Sequence, residues 1–247
     1  MPEIRNLKCV LAYDGSSFMG WQIQPGVRTV QETCESALKR ILCHEVRVIA
    51  AGRTDTGVHA LHQVINLRTP NPIPPGGLMR ALNSTLPGDV SVLSIHDVSP
   101  DFHARTCAQS KTYVYVMDTS VHPNPLLSRY ALSVRGNIDI TAMQEAAASL
   151  TGRRDFSSFQ GAGSSVKTSI REVMVSDVFT KGSRIMYRIQ GSGFLRHMVR
   201  NIVGTLLMVG TGSLIPEDMG RILEMRHRSH AGPTAPPQGL YLVGVEY

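Results

Sequence analysis

The chain has 247 residues, 42% of them hydrophobic and 18% charged, proportions that suit a folded globular protein of one large domain or two small ones. The net charge is +6 and twenty of the 25 basic residues are arginine, so a polyanionic partner is favoured: guanidinium groups grip phosphate bidentately and stack on bases. An arginine bias in a GC-rich genome would leave the same trace. No apolar run is long enough to span a bilayer, the start MPEIRNLKCVLAYDG lacks the marks of a signal peptide, and the four cysteines share no C-x-x-C spacing. Membrane insertion, secretion, a disulfide framework and a structural zinc site are therefore disfavoured, and the cytoplasm is the expected location.

In chain order, Ile4 to Tyr13 reads as a strand and DGSSFMGWQIQPGVR as a loop. Thr29 to Leu42 reads as a helix, with Thr29 and Glu32 as a capping box and Val30, Cys34, Ala37, Leu38 and Ile41 on one apolar face. Short strands are expected at Glu45 to Ala50 and Val64 to Leu67. A helix is expected at Leu78 to Leu86, and strands at Val90 to Val98 and Lys111 to Met117. Thr141 to Leu150 reads as a helix with Thr141 and Gln144 as a second capping box. GAGSSVKTS is a basic loop. Strands at Ile170 to Phe179 and Arg184 to Gln190, a long apolar helix at Phe194 to Val209 and a last strand at Leu240 to Glu246 complete the pattern. GTGS at Gly210 follows a helix and so ends it, where a phosphate loop would begin one. The mixture predicts an α+β fold with antiparallel sheet, divided near residue 105 into halves 1–105 and 106–247.

AGRTDTGVHA, Ala51 to Ala60, concentrates chemistry on a glycine-bracketed turn after a strand. Asp55 there is either a turn former, since Asp hydrogen-bonds its own backbone, or a functional carboxylate beside Arg53. Arg200 lies in GFLRHMVRNIVGTLL, apolar on most sides. It either snorkels to solvent or needs a carboxylate, and Asp55 is one candidate. A carboxylate held against arginine is ionised at neutral pH, a poor general acid and a competent nucleophile. No second acid lies beside it. His59 and His62, three apart, could instead share a metal.

AGRTDTGVHA resembles the signature of the tRNA pseudouridine synthase A family. LAYDGSSFMGWQIQP, TVQETCESAL, ALNSTLP, DFHARTCAQSKTYVY, DFSSF, HMVRNIVGTLLMVGTG and GLYLVGVEY resemble further family segments, in the family's order and over nearly the full chain. The chain departs from the pattern at Thr56, where bacterial members usually carry alanine; rate or substrate choice is the property this puts in doubt. The resemblance implies two halves like RNA-recognition modules, with antiparallel sheets joined across a central catalytic cleft. It implies isomerisation of uridine to pseudouridine at positions 38–40 of the tRNA anticodon arm, with no cofactor and no metal, by a homodimer. Carried over residue by residue, Asp55 is the nucleophile, Arg53 helps evict the base and holds its phosphate, and Tyr113 is a catalytic residue that stacks on the target base and takes part in proton transfer. Arg200 pairs with the aspartate and Leu240 lines the uracil pocket. Phe102, His103, Arg105 and Thr106 of the FHART segment and Lys167 of the GSSVK loop touch RNA. Whether attack falls on C1′ or C6, or a glycal intervenes, does not follow from sequence.

Competing readings are a non-catalytic RNA-binding module, a metal-dependent RNA hydrolase using His59, His62 and Asp55, and a paralogue acting on other uridines. Trp21 is expected to pack in the core more than to touch RNA; His103 contacts RNA or caps a strand. Tyr115 shares its strand face with Tyr113, and the cysteines and eleven methionines read as core filler.

Overall fold

A computed structural model describes residues 4–163 and 166–247. The elements in chain order are β1 (Arg5–Tyr13), α1 (Val30–Leu42), β2 (Ile49–Ala50), β3 (His59–Thr69), α2 (Pro75–Thr85), β4 (Val90–Val98), β5 (Ser110–Asp118), β6 (Leu132–Ser133), α3 (Ile140–Ala148), β7 (Gly152–Asp155), β8 (Ile170–Lys181), β9 (Arg184–Gly191), α4 (Met198–Gly210), α5 (Asp218–Met225) and β10 (Leu240–Glu246). The fold is mixed α/β with mostly antiparallel pairing. Two compact units emerge, Met1–Gln109 with Tyr241–Tyr247, and Ser110–Leu240. The boundary thus follows Gln109 rather than residue 105, and the last residues belong with the first unit, because Tyr241 and Leu242 lie parallel to His59 and Ala60 on β3.

In the first unit the strand order is β4-β1-β3-β10, with β2 on β3. Alternation along β1 sends Leu7, Cys9, Leu11 and Tyr13 to one buried face. That face meets Cys34 and Leu38 of α1 and Leu82 of α2. Thr29 caps α1 by accepting the Glu32 N–H, as the capping box predicts. β2 is only two residues long. The expected strand from Glu45 fails because the Val48 N–H is taken by the Glu35 carboxylate at 3.0 Å, not by a strand partner. β3 begins at His59, inside the AGRTDTGVHA stretch, and so is longer than Val64 to Leu67.

In the second unit β5-β9-β8-β7 form an antiparallel order, with β6 parallel to β5. Tyr115, Met117, Tyr187 and Ile189 are fully buried there with Met143 of α3 and Ile202, Val203 and Leu206 of α4. Asp139 caps α3 by accepting the Ala142 N–H, whereas Gln144 reaches across to Val178 O; Thr141 and Gln144 form no capping box. α4 starts at Met198, not Phe194. His197 holds φ of 58°, a left-handed conformation that ends the preceding turn before the helix can begin. β7 and α5 are absent from the sequence expectations: β7 is four mostly polar residues, whereas α5 buries Met219, Ile222 and Leu223 at helical spacing, a signal that was legible in the sequence.

Candidate active site

Three contacts fix the loop that carries Asp55. The Trp21 N–H donates to Thr54 O (3.0 Å), the Gly57 N–H to Phe18 O (3.2 Å), and the Val58 N–H to Asp55 O (3.1 Å), which closes a turn. The Tyr13 hydroxyl and Thr54 Oγ1 are 2.7 Å apart in the core, and Gln63 Nε2 donates to Gly52 O at 2.8 Å. The neighbouring DGSSFMGW segment can lie this close only because two of its residues lack a Cβ. A Cβ on Gly15 would overlap the Val58 carbonyl, and one on Gly20, at φ +86°, would stand 2.9 Å from Thr54 O. The result is a backbone clamp from which Asp55 emerges half-buried and Arg53 and Thr56 exposed. Sequence reasoning missed Gly15 and Gly20 as the positions that let the two loops pack this closely; their spacing in a loop was the available signal.

His59 is not presented to a ligand. It is buried, its Nδ1 accepts the Gly15 N–H at 3.0 Å and lies 3.1 Å from Asp14 Oδ1, and its ring stacks on Tyr241 at 4.8 Å. His62 is exposed, and residues three apart on a strand face opposite sides. The shared metal site expected as an alternative is therefore not formed by these two residues. Trp21 packs in the core beside Tyr13, with ring centroids 6.3 Å apart.

The FHART segment is pinned to the first unit by two buried asparagines. Asn6 Nδ2 donates to Ser99 O (2.9 Å) and Phe102 O (2.8 Å), and the Ala104 N–H donates to Asn66 Oδ1 (2.9 Å). Phe102 then packs against Tyr247 at 4.9 Å under the Lys8 ammonium. His103 Nδ1 accepts the N–H groups of Arg105 (3.2 Å) and Thr106 (3.3 Å). So Phe102 and His103 build the segment, and Arg105 and Thr106 are the side chains it exposes.

In the second unit Tyr113 is buried on β5, edge-on to Phe194 at 5.1 Å. Arg200, on α4, is half-buried. Its Nε donates to Ala235 O (2.7 Å), and its own carbonyl accepts the Ala235 N–H (3.0 Å). The AGPTAP segment bearing Ala235 is held in turn by Arg228 Nη2, which donates to Asn201 Oδ1 (3.1 Å) and Thr234 Oγ1 (3.2 Å). It lies flush on α4 at Gly204, where a Cβ would overlap Pro233 O. Tyr115 is fully buried and donates to Pro236 O at 2.7 Å. Burial pushes its phenol up, and the nearby Arg200 charge pulls the other way. Leu240 is buried one short turn, Pro237–Gly239, beyond this segment. Lys167 is exposed; Ser164 and Ser165 of its loop lie outside the described residues. The first unit thus brings Arg53 and Asp55 onto one clamped loop, and the second gathers Arg200 and Tyr115 around the AGPTAP segment that leads to Leu240. Among the described residues no cluster of three His, Cys, Asp or Glu could hold a metal ion.

The sequence model described as tRNA pseudouridine synthase matches residues 10–106 and 146–247. The chain therefore belongs to the tRNA pseudouridine synthase family, whose members are isomerases acting on tRNA. Asp55 and Arg200 fall inside the two matches and Tyr113 between them. The tRNA pseudouridine synthase A of Moorella thermoacetica is 46% identical over 243 residues, covering 98% of this chain and 99% of the relative. That of Acetivibrio thermocellus is 43% identical, covering 99% and 100%, and that of Geobacter sulfurreducens 42% identical with the same coverage.

Proposed function

We propose that this enzyme converts uridine to pseudouridine at positions 38–40 of the tRNA anticodon stem-loop, with Asp55 as nucleophile. The observation that carries the reading is the backbone clamp around Asp55, which presents a half-buried carboxylate from a loop fixed on both sides. Isomerisation breaks the N1–C1′ bond, forms a C5–C1′ bond, releases the C5 hydrogen as a proton and leaves a proton on N1. A stacked uridine hides C1′ and C6, so the nucleotide must first be flipped, at roughly a few kcal/mol. Arg53 takes the vacated place and holds the phosphate. Stacking on Tyr113 returns on the order of 1–3 kcal/mol. Arg200 pairs with Asp55 and keeps it ionised, Leu240 lines the uracil pocket, and Phe102, His103, Arg105, Thr106 and Lys167 follow the RNA backbone. The two units act as halves of RNA-recognition type. By the same family likeness the enzyme works as a cytoplasmic homodimer, and light scattering at twice the 27.0 kDa chain mass checks the dimer.

The test is tritium release from tRNA labelled at uracil C5, with wild type and Asp55→Ala side by side. Release by wild type alone, with tRNA binding by the variant kept within a few-fold, supports the assignment. Turnover by Asp55→Ala removes Asp55 as nucleophile. Binding without release by either protein favours a non-catalytic module.

A further inference from the structure

β7 and β8 set Arg154 directly opposite Arg171. Directly opposed residues of an antiparallel pair share a face with their Cβ atoms about 5 Å apart, and like charges there repel. Nothing acidic relieves the repulsion: among the described residues neither arginine makes an ion pair. Each is tied instead to backbone carbonyls, Arg154 Nε to Thr151 O (2.9 Å) and Arg171 Nη1 to Thr168 O (2.8 Å) and Ile170 O (2.6 Å). Carbonyls orient a guanidinium without neutralising it and leave its remaining N–H donors unspent. Partial burial holds Arg171 below its ordinary value, with no carboxylate pulling it back.

The neighbouring acids point away. Asp155 and Glu172 alternate to the opposite face, and Asp155 accepts the Ser157 N–H and lies 3.7 Å from Arg226. The face that Arg154 and Arg171 share continues through Val173, opposite Gly191, to Lys111 and Tyr113 on β5. β5 is two strands from β8, about 10 Å at the usual strand spacing.

We infer that Arg154 and Arg171 jointly grip one backbone phosphate of the RNA substrate, on a nucleotide flanking the one isomerised. A phosphate diester offers an anion and paired acceptors to two planar donors, so it converts a repulsive pair into a bridged one. An edge strand leaves the pair open to so large a ligand. This rests on tRNA being the substrate and on Tyr113 stacking the target base, and not on which residue attacks uracil.

The experiment measures tRNA affinity between 50 and 200 mM salt and the melting temperature of the RNA-free protein. The variants are Arg154→Gln, Arg171→Gln, the double variant and Arg154→Lys. Arg188→Gln is the control, because Arg188 is already spent on Asp177 through two hydrogen bonds. The slope of log affinity against log salt should flatten by about one unit in each Gln variant. It should flatten by no more than about one unit in the double variant, because a single phosphate is lost. Arg154→Lys should restore it, and Arg188→Gln should leave it unchanged. The melting temperature of Arg154→Gln should hold or rise, since a repulsion is removed. An unchanged slope, or a lower melting temperature with an unchanged slope, makes the pair structural and overturns the inference. A two-unit loss in the double variant overturns the shared grip. A wild-type protein without salt-dependent tRNA binding would instead remove the substrate reading itself.

Discussion

Asp55 owes its position to residues that are themselves buried. Thr54 hangs from the Tyr13 hydroxyl in the core, and the loop backbone is held by Trp21 and Phe18. Thr54→Val removes the nearer partner of a buried phenol and leaves only Gln63 Nε2 at 3.4 Å. Stability should fall by about 1–3 kcal/mol, read by urea denaturation, because a buried polar group is left poorly paired. Gly20→Ala should cost roughly 1–2 kcal/mol for the left-handed backbone alone. Its Cβ would also press on the Thr54 carbonyl, 2.9 Å away, and on the Asp55 carbon at 3.3 Å. Turnover should therefore drop by an order of magnitude or so, about 1.4 kcal/mol in the barrier, more than tRNA affinity drops. Turnover equal to wild type would show that the clamp does not set the position of the carboxylate.

Among the elements, α3 separates a sequence signature from the contact it stands for. Thr141 and Gln144 have the capping-box spacing, yet Asp139 makes the cap and Gln144 crosses to β8. Asp139→Ala should cost about 1 kcal/mol and Thr141→Ala close to none, a difference that thermal melts resolve. α4 behaves differently. It is buried nearly all round, with Leu206 fully enclosed, so Leu206→Ala should cost about 2–5 kcal/mol through lost burial and the cavity left behind. Its apolar composition revealed the helix but not its first residue, since a left-handed His197 depends on the Gly161 turn packed against that ring. β2 shrank for a similar reason: a side chain from α1 outcompeted a strand partner for one backbone N–H.

At the scale of the whole chain, buried ionisable groups set the behaviour in alkali. Burial pushes the Cys9 and Cys34 thiols from 9.0 up to about 12, and the Tyr13 phenol from 10.0 to about 12. Groups raised in the folded state lend stability that is whole below their ordinary values and is lost as pH climbs toward the folded ones. Stability should therefore decline from about pH 9 upward, seen as a falling urea midpoint between pH 8 and 11. The same burial divides the thiols. Cys43 and Cys107 are exposed, against the expectation of core filler, as are Met19, Met174 and Met225. A thiol reagent should label two cysteines quickly and the other two only on unfolding.

What the sequence determined by itself was local, or repeated many times along the chain. Period-two alternation in β1 and period-3.6 spacing in α1 reflect burial of one face, and each residue adds an independent vote. The AGRTDTGVHA stretch and its companion segments carried the family, because several motifs in one order leave little room for coincidence. Tertiary structure alone decided whatever depends on a neighbour distant in sequence. It chose which of two adjacent residues caps α3, where β2 stops, and that His59 is spent inside the fold. It also placed Arg154 opposite Arg171, a pairing that follows only from strand register. A hydrogen bond or a like-charge repulsion belongs to two residues at once, and one-dimensional spacing does not say which two will meet.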